Sequence, residues 1–249
     1  MKTPTVSTFC IFIIMVAVII FSPVRQVSCA ENPFINEIKT VVLDPGHGGH
    51  DHGAKGPDGT LEKNITLGLA QLIGDQLKKK YKIILTRSDD YWVDIPGRTA
   101  AANHKKADLF ISIHTGGSFL HQAKGINIFY YKKLSGFSLE TGANSSKPRA
   151  KSNPQRLWDN IQTKHISSSR VLAQIMKKNI SSRLEIFTSK IQNADLMVLK
   201  GADMPAILIE VGYLTNPGDE KNLQSSDALA DVATAICNGV DEFFQNSKR

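Results

Sequence analysis

The stretch Val41-Val-Leu-Asp-Pro-Gly-His-Gly-Gly-His-Asp-His-Gly-Ala-Lys-Gly-Pro-Asp-Gly-Thr-Leu-Glu62 decides how this chain folds. It starts as an apolar, β-branched run that is too short for a helix and is stopped by Asp44-Pro45-Gly46, so it reads as a buried strand. A glycine-rich loop with His47, His50 and His52 follows, and Glu62 opens the next regular segment. A packed core calls for neither the glycines nor the imidazoles, so the loop points to a metal site held between a strand and a helix.

The segments on either side give that strand its setting. Thr60 can cap a helix whose apolar positions Leu61, Ile65, Leu69, Leu72, Ile73 and Leu77 recur at the helical period and end in Lys78-Lys79-Lys80. Lys82–Thr86 reads as a second strand, a helix is expected around Arg98 to Lys105, Asp108–Ile113 makes a third strand ending at His114, and Gly125–Tyr131 a fourth. From Lys132 to His165 the periodicity disappears, and Ser, Gly, Asn, Lys and Pro dominate a long insertion. A helix then places Val171, Leu172, Ile175, Met176 and Ile180 on one face. Leu196–Leu199 is expected to form a short strand, and Pro205–Ile209, apolar throughout, a central strand covered on both sides. A final helix carries Leu229, Val232, Ile236, Val240 and Phe243. Strands alternating with helices indicate a single α/β domain with a mostly parallel sheet and helices on both faces.

The 249 residues, 41% of them hydrophobic, can bury one full core. Residues 1–30 read as a secretory signal peptide: Lys2, then the apolar run Phe9–Phe21, then Ser28-Cys29-Ala30 before a cut. That run is short of the roughly 20 residues needed to span a bilayer. The mature chain, 31–249, is therefore expected to be exported to the periplasm or the extracellular cell wall. The leader contains Lys2 and Arg25 and no acid, which leaves a net charge of +5 out of +7. This mild excess suits an anionic envelope polymer and is too weak to argue for nucleic acid. Cys10 and Cys29 lie in the leader, so Cys237 alone cannot form an internal disulfide. The chain is expected to be a monomer.

Three candidate groups stand after strands. His47 follows the first, His114 the third, and Glu210 the Pro205 strand. Ligand sites of open α/β sheets form at that edge, and Glu62, in the first turn after the loop, can reach it. Two imidazoles and a carboxylate are a usual zinc set with one position left open, and a second carboxylate can serve as general base. The lack of thiolate, with mixed nitrogen and oxygen donors, favours zinc over calcium or magnesium but leaves manganese and cobalt open. Glu210 stands out because Ile207, Leu208, Ile209 and Val211 flank it, where an unpartnered charge is costly. His50 and His52 read as turn residues at the rim, His104 and His121 as surface residues, and His165 as part of the insertion. The loop lacks the Gly-Lys-Ser/Thr of a nucleotide-phosphate site.

Several separate motifs carry a resemblance. Val-Leu-Asp-Pro-Gly-His-Gly-Gly (42–49), Glu-Lys-Asn (62–64), Thr-Arg-Ser-Asp-Asp (86–90), Arg98 with Ala-Ala-Asn (101–103), Ala-Asp-Leu-Phe-Ile-Ser-Ile-His (107–114) and Pro-Ala-Ile-Leu-Ile-Glu-Val-Gly-Tyr-Leu-Thr-Asn-Pro (205–217) occur in order. Together, from about Lys39 to Phe244, they resemble the zinc-dependent N-acetylmuramoyl-L-alanine amidases, the type 3 amidases among bacterial cell-wall hydrolases. The resemblance implies a six-stranded mixed sheet and one zinc per chain. It also implies cleavage of the amide between N-acetylmuramic acid and L-alanine in peptidoglycan. His47, Glu62 and His114 fall on the family's metal ligands, and Glu210 on its catalytic glutamate. Where the family continues after the second histidine with Ala-Asn or Ala-Asp, this chain has Thr115-Gly116-Gly117, a change expected to bear on substrate positioning. Some members carry near the 132–165 segment a helix that covers the zinc until an activator protein removes it. Glu140 and Trp158 would allow a similar lid here, and the composition fits a floppy loop equally well. The zinc set alone also fits a peptidase cutting within the stem peptide, and the Thr-Gly-Gly change fits a non-catalytic envelope-binding module.

Overall fold

A computed structural model of the chain describes residues 38–132, 161–184 and 188–247. Six strands form one sheet in the order β2-β1-β3-β6-β4-β5. These are β1 (Thr40–Pro45), β2 (Lys82–Leu85), β3 (Leu109–Gly116), β4 (Ile126–Tyr131), β5 (Ser189–Ala194) and β6 (Ala206–Tyr213). The first three and β6 run parallel, β4 runs antiparallel to β6, and β5 lies parallel to β4. The sheet is therefore mixed and mostly parallel, in a single α/β domain. Its helices are α1 (Glu62–Leu77), α2 (Ile95–His104), α3 (Ile166–Arg183), α4 (Met197–Lys200), α5 (Pro217–Gln224) and α6 (Ser226–Asn246).

Side chains alternate across a strand with period two, and this alternation positions the site. Val41 and Leu43 of β1, Leu109, Ile111 and Ile113 of β3, and Ile207, Ile209 and Val211 of β6 enter the larger core, beneath α1, α3 and α6. The intervening residues Val42, Phe110, Ala206 and Leu208 enter a smaller core with residues of α2 and α4. Continuing that second register toward the strand ends leads to Asp44, Ser112, His114 and Glu210. The polar groups thus lie on the face with the smaller helical cover, at the edge where the parallel strands end.

Two local expectations are corrected. Leu196–Leu199 is not a strand: Met197–Lys200 is the short helix α4, and Leu199 is fully buried in the smaller core. The sixth strand is instead the polar segment Ser189–Ala194, an edge strand of which Ile191 alone packs on the larger core, and hence without an apolar run. Thr60 does not cap α1, whose cap position is Leu61 with no side-chain bond; the Thr60 hydroxyl accepts instead from Gln224 Nε2 at 2.8 Å. The final helix carrying Leu229 to Phe243 is α6, capped by Ser225 through the Ala228 N–H, and the short helix α5 before it was not expected.

Strands β3 and β6 continue past His114 and Glu210 to Gly116 and Tyr213, so both residues stand within strands rather than at their ends. The leader at 1–30, Glu140 and Trp158 lie outside the described residues. Of the 132–165 insertion, 133–160 lie outside them as well. Its C-terminal part belongs to the fold: Ile161–His165 is a 3₁₀ helix, and Gln162 is buried, its Nε2 donating to the carbonyls of Ala202 and Met204. Burial pushes the Cys237 thiol up to about 12, which makes it an inert core residue. Among the described residues, no helix is long and apolar enough to cross a membrane.

Candidate metal centre

His47 occupies the left-handed backbone region at φ 61, a conformation that costs a side-chain-bearing residue roughly 1–2 kcal/mol. Two buried arginines hold it there. Arg98 donates to Asp44 Oδ1 (2.8 Å), the Pro45 carbonyl (2.8 Å) and the His47 carbonyl (2.9 Å). Arg87, which has no exposed surface, donates to the carbonyls of Pro45 (3.0 Å), Gly46 (2.8 Å) and Lys63 (2.8 Å). Hydrogen bonds to charged groups contribute about 1.5–3 kcal/mol each, so this set outweighs the strain at His47. Asp44 is itself fully satisfied, since its Oδ1 also accepts from Thr86 Oγ1 and its Oδ2 from Ser112 Oγ. Lys63 closes the outer side of the loop by donating to the Gly49 carbonyl (2.8 Å) and to Asp90 (2.7 Å).

Glu62, the first residue of α1, is buried beneath that loop. Its Oε1 accepts from the Thr115 N–H (2.8 Å) and lies 3.0 Å from His114 Nδ1. Its Oε2 accepts from the Ala54 N–H (2.8 Å) and lies 3.1 Å from His47 Nε2. The two imidazoles meet edge to face with centroids 5.0 Å apart. Burial alone would raise the Glu62 pKa, but the two imidazoles facing it hold the carboxyl well below its usual range. His47 moves the other way: burial opposes its protonation, and the Glu62 and Asp51 carboxylates more than compensate, so its pKa is raised.

These three side chains are therefore brought together, with one donor atom from each and all of those atoms within 4.8 Å of one another. The set is chemically suited to a divalent cation, since two neutral ring nitrogens and one ionised oxygen leave one negative charge uncompensated. The glycines preserve the space. A Cβ on Gly46 would come within 2.4 Å of the His114 ring, and one on Gly53, at φ 66, within 2.6 Å of Glu62 Oε2. His47 Nδ1 lies 2.9 Å from Asp51 Oδ1 but makes no hydrogen bond. His50 and His52 stay outside the cluster: His50 packs on Trp92 at 5.2 Å, and His52 is exposed.

Glu210 stands directly opposite His114 in the β3–β6 register. It is half-buried, burial raises its pKa, and its Oε2 accepts from Asn127 Nδ2 at 3.2 Å. The Asn127 amide also donates to the Tyr213 hydroxyl (2.8 Å) and accepts from Gln192 Nε2 (3.3 Å), which fixes its orientation. Asn127, Arg87 and Arg98 were assigned no role from the residues alone. Thr115-Gly116 also has a structural reason: the Thr115 N–H holds Glu62, and a Cβ on Gly116 would strike the Tyr213 ring at 2.7 Å, beside the bulge that follows His114.

Helix α5 braces both sides of this centre. Buried Glu220 accepts from the N–H groups of Asp58 and Thr60 in the loop before Glu62, while Asp219 accepts from the N–H groups of Tyr213 and Gly125, beside Glu210 and Asn127.

With this geometry in place, comparison with known proteins identifies the relatives. The family described as N-acetylmuramoyl-L-alanine amidase matches residues 41–242. The chain is 31% identical over 220 residues to the amidase AmiA of Escherichia coli, covering 83% of this chain and 76% of AmiA. It is 30% identical to AmiC of Neisseria meningitidis serogroup B, again over 83% of this chain, and spans 53% of that longer protein. Among solved structures, the catalytic domain of the amidase CwlV from Paenibacillus polymyxa is similar with a TM-score of 0.67 and 29% identity, over 84% of this chain and 99% of that domain. The amidase AmiC2 of Nostoc punctiforme is similar with a TM-score of 0.67 and 27% identity, over 83% and 97%. The chain belongs to the N-acetylmuramoyl-L-alanine amidase family of peptidoglycan amide hydrolases.

Proposed function

We propose that this amidase cleaves the bond between the lactyl group of N-acetylmuramic acid and L-alanine with one zinc ion held by His47, Glu62 and His114, and with Glu210 as general base. The observation that carries the proposal is the convergence of those three donors within 4.8 Å, with Glu210 opposite His114 on the neighbouring strand. When bound, zinc supplies Lewis acidity toward a carbonyl oxygen and toward water.

The chain's own residues carry the proton. Glu210, raised by burial, takes a proton as water attacks the carbonyl carbon; it returns that proton to the alanine nitrogen as the carbon–nitrogen bond breaks. The products are a lactyl carboxylate on the sugar and a stem peptide with a free amino end. Asn127 holds one carboxylate oxygen of Glu210, which leaves the other to exchange the proton. Arg98, bonded to the His47 carbonyl, keeps that residue in place beside Glu62. Peptidoglycan lies outside the cytoplasmic membrane, which is where the leader read at residues 1–30 would deliver the chain.

Chelation tests the cofactor directly. Dialysis of the purified protein against a chelator is expected to abolish stem-peptide release, and one equivalent of zinc per chain to restore it. Activity that survives complete metal removal contradicts the proposal.

A further inference from the structure

A cavity of about 320 Å³ opens on His47 and His114, bounded on its far side by the start of α2 and by α4. That volume is within the roughly 300–1,000 Å³ of small-ligand sites. Trp92, Ile95 and Met197 line it and are about half exposed, at 50%, 48% and 60%. Large apolar side chains left in water around a concavity beside a polar centre mark a binding surface. Trp92 is also firmly seated. Its backbone packs so closely on the metal loop that a Cβ on Gly49 would come within 2.9 Å of the Trp92 nitrogen, and Asp90 accepts from the Gly49 N–H at 2.8 Å.

We propose that this cavity is the subsite for the muramoyl sugar, with the Trp92 indole against the apolar C–H face of the pyranose, so that the stem peptide runs off on the opposite side, past Glu210 and Tyr213. The proposal rests on the amidase reading and names the half of the substrate that each flank takes. The scissile carbonyl is only a few bonds from the sugar ring, so the ring must sit next to the metal ligands on one side or the other. The chemistry of the wall selects the side. The two charged residues lining the cavity are Asp51 and Arg98, and Arg98 is already committed to Asp44 and to the carbonyls of Val93, Pro45 and His47. What remains is a largely apolar wall, with Asp51 turned to His47, and it suits the C–H face of a neutral sugar and its acetamido methyl better than a charged peptide. The other flank carries the hydroxyl of Tyr213, which accepts from Asn127 and keeps its own proton to donate to a polar peptide.

The test compares two substrates with the same scissile amide: N-acetylmuramoyl-L-alanyl-D-isoglutamine, and lactoyl-L-alanyl-D-isoglutamine, which lacks the sugar. The zinc-loaded protein is expected to prefer the first in kcat/KM. In Trp92→Ala that preference should fall by about 10-fold, with the change in KM rather than kcat, and Trp92→Phe should recover most of it. A preference unchanged in Trp92→Ala, or absent from the unmodified protein, overturns the subsite. Cleavage of neither substrate at the lactyl–alanine bond overturns the amidase reading itself, a distinct result. Zinc content equal to that of the unmodified protein shows that the variants are folded.

Discussion

Glu210→Gln is expected to lower kcat by about 10²–10⁴-fold, the usual contribution of a positioned general base, while zinc content stays at one per chain. Glutamine keeps the size of the side chain and can still bond Asn127, but it cannot accept the proton of the attacking water. The proposed metal donors are untouched, because Glu210 stands on β6 while His47, Glu62 and His114 come from the β1 loop, α1 and β3. A Glu210→Gln protein with near-normal turnover removes this residue from the mechanism.

His114→Ala is expected to fail at the opposite step, with zinc affinity and turnover both falling by more than about 100-fold, since even second-sphere losses cost 10–100-fold. The imidazole fills the space above Gly46 and faces Glu62 at 3.0 Å, so its removal takes away a donor and leaves the buried carboxylate with one imidazole in place of two. Metal analysis after gel filtration separates the variants: metal retained without turnover in Glu210→Gln, metal lost in His114→Ala. Full zinc occupancy in His114→Ala would take this histidine out of the ligand set.

The four chemical groups were legible because each breaks a local pattern. Glu210 interrupts an apolar strand, His114 closes the apolar run of another, and His47 and Glu62 flank glycines that no core needs. The parallel strands were legible for a related reason, as Val41–Leu43 and Ala206–Ile209 are buried on both sides and so read as continuous apolar runs. Ser189–Ala194 was hidden because an edge strand needs no such run, and Leu196–Leu199 imitated a strand by being short and apolar while one turn of helix buried the same residues. Arg87 and Arg98 look like ordinary surface cations in sequence. Their role depends on carbonyls about forty to fifty residues away, a pairing that periodicity cannot reveal. His50 and His52 could be told from His47 only through backbone geometry: residue type is identical, and the left-handed turn at His47 is what directs that ring alone toward Glu62. Asn127 was concealed inside an apolar strand whose partner, Glu210, lies across the antiparallel pair.

The most direct measurement of the central claim is mass analysis of the fragments released from purified peptidoglycan, with and without chelator. Intact stem peptides beginning at L-alanine should appear only in the metal-loaded reaction. Shortened stems, or the same release in the presence of chelator, would contradict a zinc amidase built on His47, Glu62, His114 and Glu210.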